Sequence, residues 1–127
     1  MAKDRANRHV DVRTFLTALQ TPQKSAQEWF KEGYALDELK RYEEAIVAFD
    51  QAIRLDPNDV LAYNNKGLVL NNLKRYEEAI AAYEQAIRLD PNYAVAYNNK
   101  GLALDQLGRK SEAQQAREKA KQLGYGS

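Results

Sequence analysis

Few side chains of this sequence could carry chemistry. His9 is its only histidine and it has no cysteine, so neither a thiolate nucleophile nor a cysteine–histidine metal set is on offer. His9 stands in the charged segment MAKDRANRHVDVR with no spaced carboxylates beside it, and it reads as an exposed tail residue. Two carboxylate pairs, Glu43–Glu44 and Glu77–Glu78, have the make-up of an acid–base couple. Each follows an arginine, Arg41 or Arg75, at the start of a helical run, where the helix dipole favours acidic residues for structural reasons alone. The terminal GYGS is no phosphate loop, since no strand leads into it and no helix follows. What remains is amide chemistry: Asn64–Asn65 and Asn98–Asn99, set in the identical heptapeptide AYNNKGL at Ala62–Leu68 and Ala96–Leu102. An asparagine side chain both donates and accepts, so a row of them suits the amides of an extended peptide. No catalytic constellation emerges, and a non-catalytic protein without cofactor or metal is expected.

The elements that position these residues follow from a repeat. The two heptapeptides lie 34 residues apart (96 − 62), as do RYEEAI at Arg41–Ile46 and Arg75–Ile80, and QAIRLDPN at Gln51–Asn58 and Gln85–Asn92. A fixed period of this size means stacked supersecondary units. Three units fit the register: residues 26–59, 60–93 and 94–127. In each, apolar residues recur at helical spacing in two runs divided by a short polar break. In the first unit these are Trp29, Phe30, Gly33, Leu36 and Leu39, then Tyr42, Ala45, Ile46, Phe49, Ala52, Ile53 and Leu55. Asp-Pro-Asn at Asp56–Asn58 and Asp90–Asn92 closes a pair, since proline cannot continue the helix before it. Ser25 with Glu28 has the spacing of a capping box at the start of the first run.

The spacing resembles the tetratricopeptide repeat: Trp29, Gly33 and Leu36, then Ala45, Phe49 and Pro57. The second unit matches with Tyr63, Gly67, Leu70, Ala79, Tyr83 and Pro91, and the third with Tyr97, Gly101, Leu104 and Ala113. The third then departs, with Arg117 and Tyr125 for the aromatic and the proline, and Glu32, Lys66 and Lys100 replace a usual leucine. The resemblance implies an all-α fold: a right-handed superhelical α-solenoid of three helix–turn–helix repeats with an additional N-terminal helix. Gly33, Gly67 and Gly101 are expected to let the paired helices approach, facing Ala45, Ala79 and Ala113. Trp29, Tyr63 and Tyr97 are expected to fill space between them.

In this family the first helices of successive pairs line a concave groove that binds partners. The resemblance therefore places Gln27, Phe30, Lys31, Tyr34, Asp37 and Glu38 there from the first unit. The second contributes Leu61, Asn64, Asn65, Leu68, Asn71 and Asn72, and the third Val95, Asn98, Asn99, Leu102, Asp105 and Gln106. Asparagine in a helix interior is up to about 0.7 kcal/mol worse than alanine. Two readings of the asparagines stay open: polar surface copied by recent duplication, or exposed groove residues kept for a peptide. Their interleaving with Leu61, Leu68, Val95 and Leu102 favours the second, because apolar area with convergent polar groups is the usual make-up of a recognition site. The clamp by which one subclass holds the C-terminal carboxylate of heat-shock chaperones is not expected. Only Asn65 matches it, and Phe30, Tyr34, Val95 and Asn99 stand where its other residues would be.

The outward faces of the array are read as capped. Ile46, Phe49 and Ile53 correspond to Ile80, Tyr83 and Ile87, and then to Gln114, Arg117 and Lys121, a polar face of the kind a terminal unit needs. Glu28 replaces Ala62 and Ala96 at the other end, so three repeats are expected to be the whole array. Ahead of them, in residues 1–25, Val12, Phe15, Leu16 and Leu19 form one apolar stripe. That stripe could cap the first unit, enter a groove, or pair chains into a weak homo-oligomer. Net charge is +1 from 19 basic and 18 acidic residues, which gives no pull toward nucleic acid. No segment has the roughly 20 apolar residues of a membrane span, and the start is no secretory signal. The expectation is a cytoplasmic interaction module that binds a peptide or helical segment of a protein partner, with a self-assembling scaffold driven by the N-terminal stripe as the rival.

Overall fold

The computed structural model describes residues 23–126. His9 and the stripe of Val12, Phe15, Leu16 and Leu19 lie outside the described residues. Among the described residues six α-helices follow one another: α1 Ala26–Glu38, α2 Tyr42–Leu55, α3 Val60–Asn72, α4 Tyr76–Leu89, α5 Ala94–Gln106 and α6 Lys110–Gln122. Local chemistry sets their ends. Ser25 Oγ accepts from the Glu28 amide at 3.1 Å and Glu28 Oε1 accepts from the Ser25 amide at 3.1 Å, a complete capping box. Asp59 caps α3 by accepting from the Ala62 amide at 3.2 Å. In the Asp-Pro-Asn turns, the Asp56 and Asp90 carboxylates accept the amides of Asn58 and Asn92 at 3.2 and 3.1 Å. At the far ends of α1, α3 and α5 the chain reverses through left-handed residues, Lys40, Lys74 and Gly108. The next amides, of Arg41, Arg75 and Arg109, then reach back to Leu36, Leu70 and Leu104, as a Schellman closure requires.

Each helix packs on its neighbours in the chain, forming three hairpins that stack. Beyond this, α1 touches α3 and α3 touches α5, while among the described residues α2, α4 and α6 do not meet one another. The stack therefore bends toward the α1–α3–α5 side. Its core holds Phe49, Tyr83, Leu70, Leu104 and Val69, all fully buried, with Ala45, Ala79 and Ala113 wedged between.

Two expectations about packing are corrected. The close approach at the glycines is to the residue after the alanine turn: a Cβ on Gly33 would lie 2.9 Å from Phe49 Cε1, and one on Gly67 2.4 Å from Tyr83 Cε1. At Gly101 the neighbours are Arg117 Cγ at 2.9 Å and, as expected there, the Ala113 carbonyl at 3.1 Å. At Gly33 and Gly67 a ring stands where the side chain would be, so there the glycine makes room for an aromatic rather than for a bare helix. Trp29 is only partly buried and stands outside the core, with the Lys24 ammonium 4.4 Å above its ring.

The carboxylate pairs belong to the fold. Arg41 holds Glu44, Arg75 holds Glu78 at 2.5 Å and Glu43 of the preceding hairpin at 3.4 Å, and Arg109 holds Glu112 at 2.8 Å and Glu77 at 3.5 Å. Lys66 and Lys100 bridge in the same way to Asp50 and Glu84, at 2.7 and 3.3 Å. Exposed pairs of this kind contribute little each, and here the pair within the second helix repeats once per unit.

Candidate functional site

The face toward which the stack bends is built from side chains of α1, α3 and α5, the shorter-spaced row of helices. Large apolar residues lie open on it: Tyr34 is 52% exposed, Leu61 52%, Leu102 49% and Val95 37%. Leu68 and Phe30 sit lower, packed against the core, and the Phe30 ring meets Phe49 edge-on at 5.6 Å. Beside Phe30, Lys31 and Tyr34 is an open, mainly apolar hollow of about 450 Å³. Asn65, Asn71 and Asn98 are half-buried and Asn72 is exposed.

Asn64 and Asn99 correct the expectation that these asparagines are exposed. They are buried, at 4% and 9% exposure, and Asn99 Nδ2 donates to Asn64 Oδ1 at 3.1 Å. The two inner helices α3 and α5 touch, and this pair joins them, one buried amide donating to the other. By the 34-residue offset the same two positions at the preceding contact hold Phe30 and Asn65. A phenyl ring has no polar atom, so the amide bridge between α3 and α5 has no counterpart at these two positions.

A second set of positions runs beneath the face. Under the three glycines lie Phe49, Tyr83 and Arg117; at one constant offset before them, on the inner helices, stand Asp37, Asn71 and Asp105. Arg117 pairs with Asp105. The enclosed Tyr83 hydroxyl is set against the Asn71 amide, and neither Tyr83 Oη nor Asn71 Oδ1 has a better-aligned partner. Burial pushes that hydroxyl's pKa up, and the Asn71 contact only partly offsets it. Phe49 offers no polar head. Asp37 instead lies beside the Asn72 side chain; burial pushes its carboxyl up, the Asn72 amide partly opposes this, and the neighbouring Glu38 charge pushes it further. The sequence carried a signal for this set: tyrosine stands with asparagine and arginine with aspartate at positions that keep the same offset.

Charge is unevenly shared between the two rows. The last turns of α2, α4 and α6 carry Arg54, Arg88, and Lys119 with Lys121. The last turns of α1, α3 and α5 carry no basic residue. At the trailing end, Asn98, Gln114, Arg117, Lys121 and Tyr125 border a hollow of about 420 Å³. Gln114 and Lys121 are exposed there and Arg117 is half-buried, against the buried Ile46, Phe49, Ile80 and Tyr83 of the earlier hairpins. Among the described residues no three His, Asp or Glu side chains gather as a metal ion would need, and no helix is long and apolar enough to cross a membrane.

Known proteins share this architecture. No curated protein matches the chain. Among solved structures, MamA superposes with a TM-score of 0.76 at 32% identity; the match covers 78% of this chain and 58% of MamA, so the chain spans little over half of that relative. The second tetratricopeptide repeat domain of Spaghetti (RPAP3), solved with the HSP90 peptide SRMEEVD, gives 0.75 at 30% identity over 79% of this chain and 93% of its own. The first such domain of Spaghetti, solved with the same peptide, gives 0.78 at 23% identity over 81% and 82%, a likeness of fold. Tetratricopeptide repeat family models match residues 30–94 and 82–115. With six helices stacked as three hairpins on a 34-residue period, the chain belongs to the tetratricopeptide repeat family.

Proposed function

We propose that this domain is a non-catalytic protein–protein interaction module, and that it holds a peptide or helical segment of a partner along the inner face of α1, α3 and α5. One observation carries the reading: Tyr34, Leu61, Val95 and Leu102 are all open to solvent on that single face. An apolar patch flanked by polar amides, on a chain that is otherwise highly charged, is what a recognition surface looks like. The Spaghetti structures, which carry a peptide on the same fold, support the mode. They do not transfer the ligand, because Phe30, Tyr34, Val95 and Asn99 supply no cations for an acidic tail.

The test is selection of binders from a displayed peptide library, followed by titration calorimetry on variants. Leu102→Asp should abolish binding, whereas Val47→Asp, on the exposed side of α2, should leave it intact. Binders that tolerate Leu102→Asp would place recognition elsewhere.

A further inference from the structure

We infer that the inner face of α3 and α5 takes a helical segment of a partner, one that docks with about two turns of uncharged apolar side chains. The inference rests on the inner face being the binding surface and names the shape and charge of its occupant.

The apolar side chains of that face are set at helical distance. Leu61 and Leu68 lie seven residues apart on α3, and Val95 and Leu102 occupy the same two positions on α5. Seven residues of helix span about 10 Å, so each helix offers two apolar contacts one i, i+7 step apart. α3 and α5 touch, and helices in contact run about 8–10 Å apart. Leu61, Val95 and Leu102 are exposed and Leu68 is half-buried. A third helix laid between the two rows would meet both with its own residues at i, i+3 or i+4, and i+7.

Every charged residue of α3 and α5 is already paired with one on an outer helix. On α3 the only one is Lys66, held by Asp50 of α2 at 2.7 Å. On α5, Lys100 pairs with Glu84 of α4 at 3.3 Å, and Asp105 pairs with Arg117 of α6. In a chain of which 29% is charged, these two helices present no spare ion to a ligand. A charge on the docking face of a partner would be desolvated there without a counter-charge, which is costly. α1 differs, with Lys31 and Glu38 exposed, and charge in the partner is tolerated only toward that edge.

The amides decide between a helix and an extended strand. An extended segment leaves backbone N–H and C=O groups to be paired by the surface it lies on, whereas a helix closes its own. Asn64 and Asn99 are buried and bonded to each other at 3.1 Å. They are spent on joining α3 to α5, and a partner's backbone cannot use them. Of the four asparagines in the two heptapeptides, Asn65 and Asn98 remain within reach of solvent, too few to serve a strand that crosses both helices.

The experiment selects binders to the whole chain from displayed random peptides about four helical turns long. Only peptides that fail to bind Leu102→Asp and Leu61→Asp, two changes at exposed positions, are kept. In the kept sequences apolar residues should recur at i, i+3 or i+4, and i+7, with no Lys, Arg, Asp or Glu on that stripe. Mixing one such synthetic peptide with the protein should add helical far-ultraviolet circular dichroism, and a proline at its centre should weaken binding about tenfold or more. Its affinity should change less than about twofold between low and high salt. Kept peptides with period-two apolar patterns, tolerance of the proline, or a charge required on the docking stripe overturn the inference and leave the groove. Should no selected peptide be sensitive to either substitution, the inner face is not the binding surface and both readings fall.

Discussion

The side chains of Asn64 and Asn99, 35 residues apart, are buried against each other, with Asn99 Nδ2 donating to Asn64 Oδ1 at 3.1 Å. The bond joins α3 to α5 across the boundary between two hairpins. Removing one partner leaves the other buried and unpaired, which costs about 1–3 kcal/mol. Asn64→Ala and Asn99→Ala should therefore each destabilise in urea melts. The double variant should lose less than the sum, because no orphan remains. Asn65→Ala, half-buried and unbonded, should instead gain up to about 0.7 kcal/mol from helix propensity. A gain in either single variant of the buried pair would show that the bridge is not made in solution.

The fold was legible because a 34-residue period repeats whole phrases, and a solenoid needs little beyond that period. The asparagines were legible as unusual but not as a pair. Repeat spacing places Asn64 and Asn99 on inner helices, whereas their burial depends on how closely those helices approach, which no single unit encodes. Trp29 went the other way: its spacing predicts a core residue, yet it is only partly buried, as are its equivalents Tyr63 and Tyr97. Lys24 covers the ring instead and pairs with Glu32. Trp29→Ala should then cost about 1–2 kcal/mol, below the 3–5 kcal/mol or so of a fully buried aromatic.

The glycines rank by what stands over them. An alanine Cβ at position 67 would meet Tyr83 Cε1 at 2.4 Å, and at position 33 Phe49 Cε1 at 2.9 Å. In a core that is already full such overpacking costs about 1–3 kcal/mol, more than the helix propensity gained. At position 101 the contacts are Arg117 Cγ at 2.9 Å and the Ala113 carbonyl at 3.1 Å, and the arginine stem can swing. Thermal melts should place Gly67→Ala lowest, Gly33→Ala next and Gly101→Ala closest to the parent. Equal losses at all three would mean that the rings are not the obstacle.

One loop position offers stabilisation. Lys40 and Lys74 hold φ of 60° and 61°, the left-handed region, where the third unit has Gly108 at 76° with nothing near its Cβ. A side chain there is disfavoured by about 1 kcal/mol relative to glycine. Lys74→Gly should raise stability by about 0.5–1 kcal/mol after the entropy of the freer unfolded chain is counted. Gly108→Lys should lower it similarly. The pair is checked by guanidinium midpoints at constant slope; a loss in Lys74→Gly would mean that the lysine side chain makes a contact worth more than the strain.

Asp37 should limit stability near neutrality. Burial and Glu38 raise its folded pKa above the ordinary 3.8, and the Asn72 hydrogen bond only partly opposes them. The folded state thus holds this proton more tightly than the unfolded chain does. Stability from the protonated form is fully present below the ordinary aspartate pKa and is lost as pH rises through the raised one. The carboxyls of Glu78 and Glu112, held below their ordinary range first by hydrogen bonds from Arg75 and Arg109, act in the opposite sense and weaken the fold on acidification. Comparing Asp37→Asn with the parent cancels that background. At pH 7 the variant should be the more stable, by less than about 1 kcal/mol because the site is largely solvated. The difference should shrink and then vanish as pH falls through the raised pKa toward 3.8. A variant less stable than the parent at pH 7 would show that the Asn72 bond outweighs the desolvation, and that Asp37 is there to hold α1 to α3.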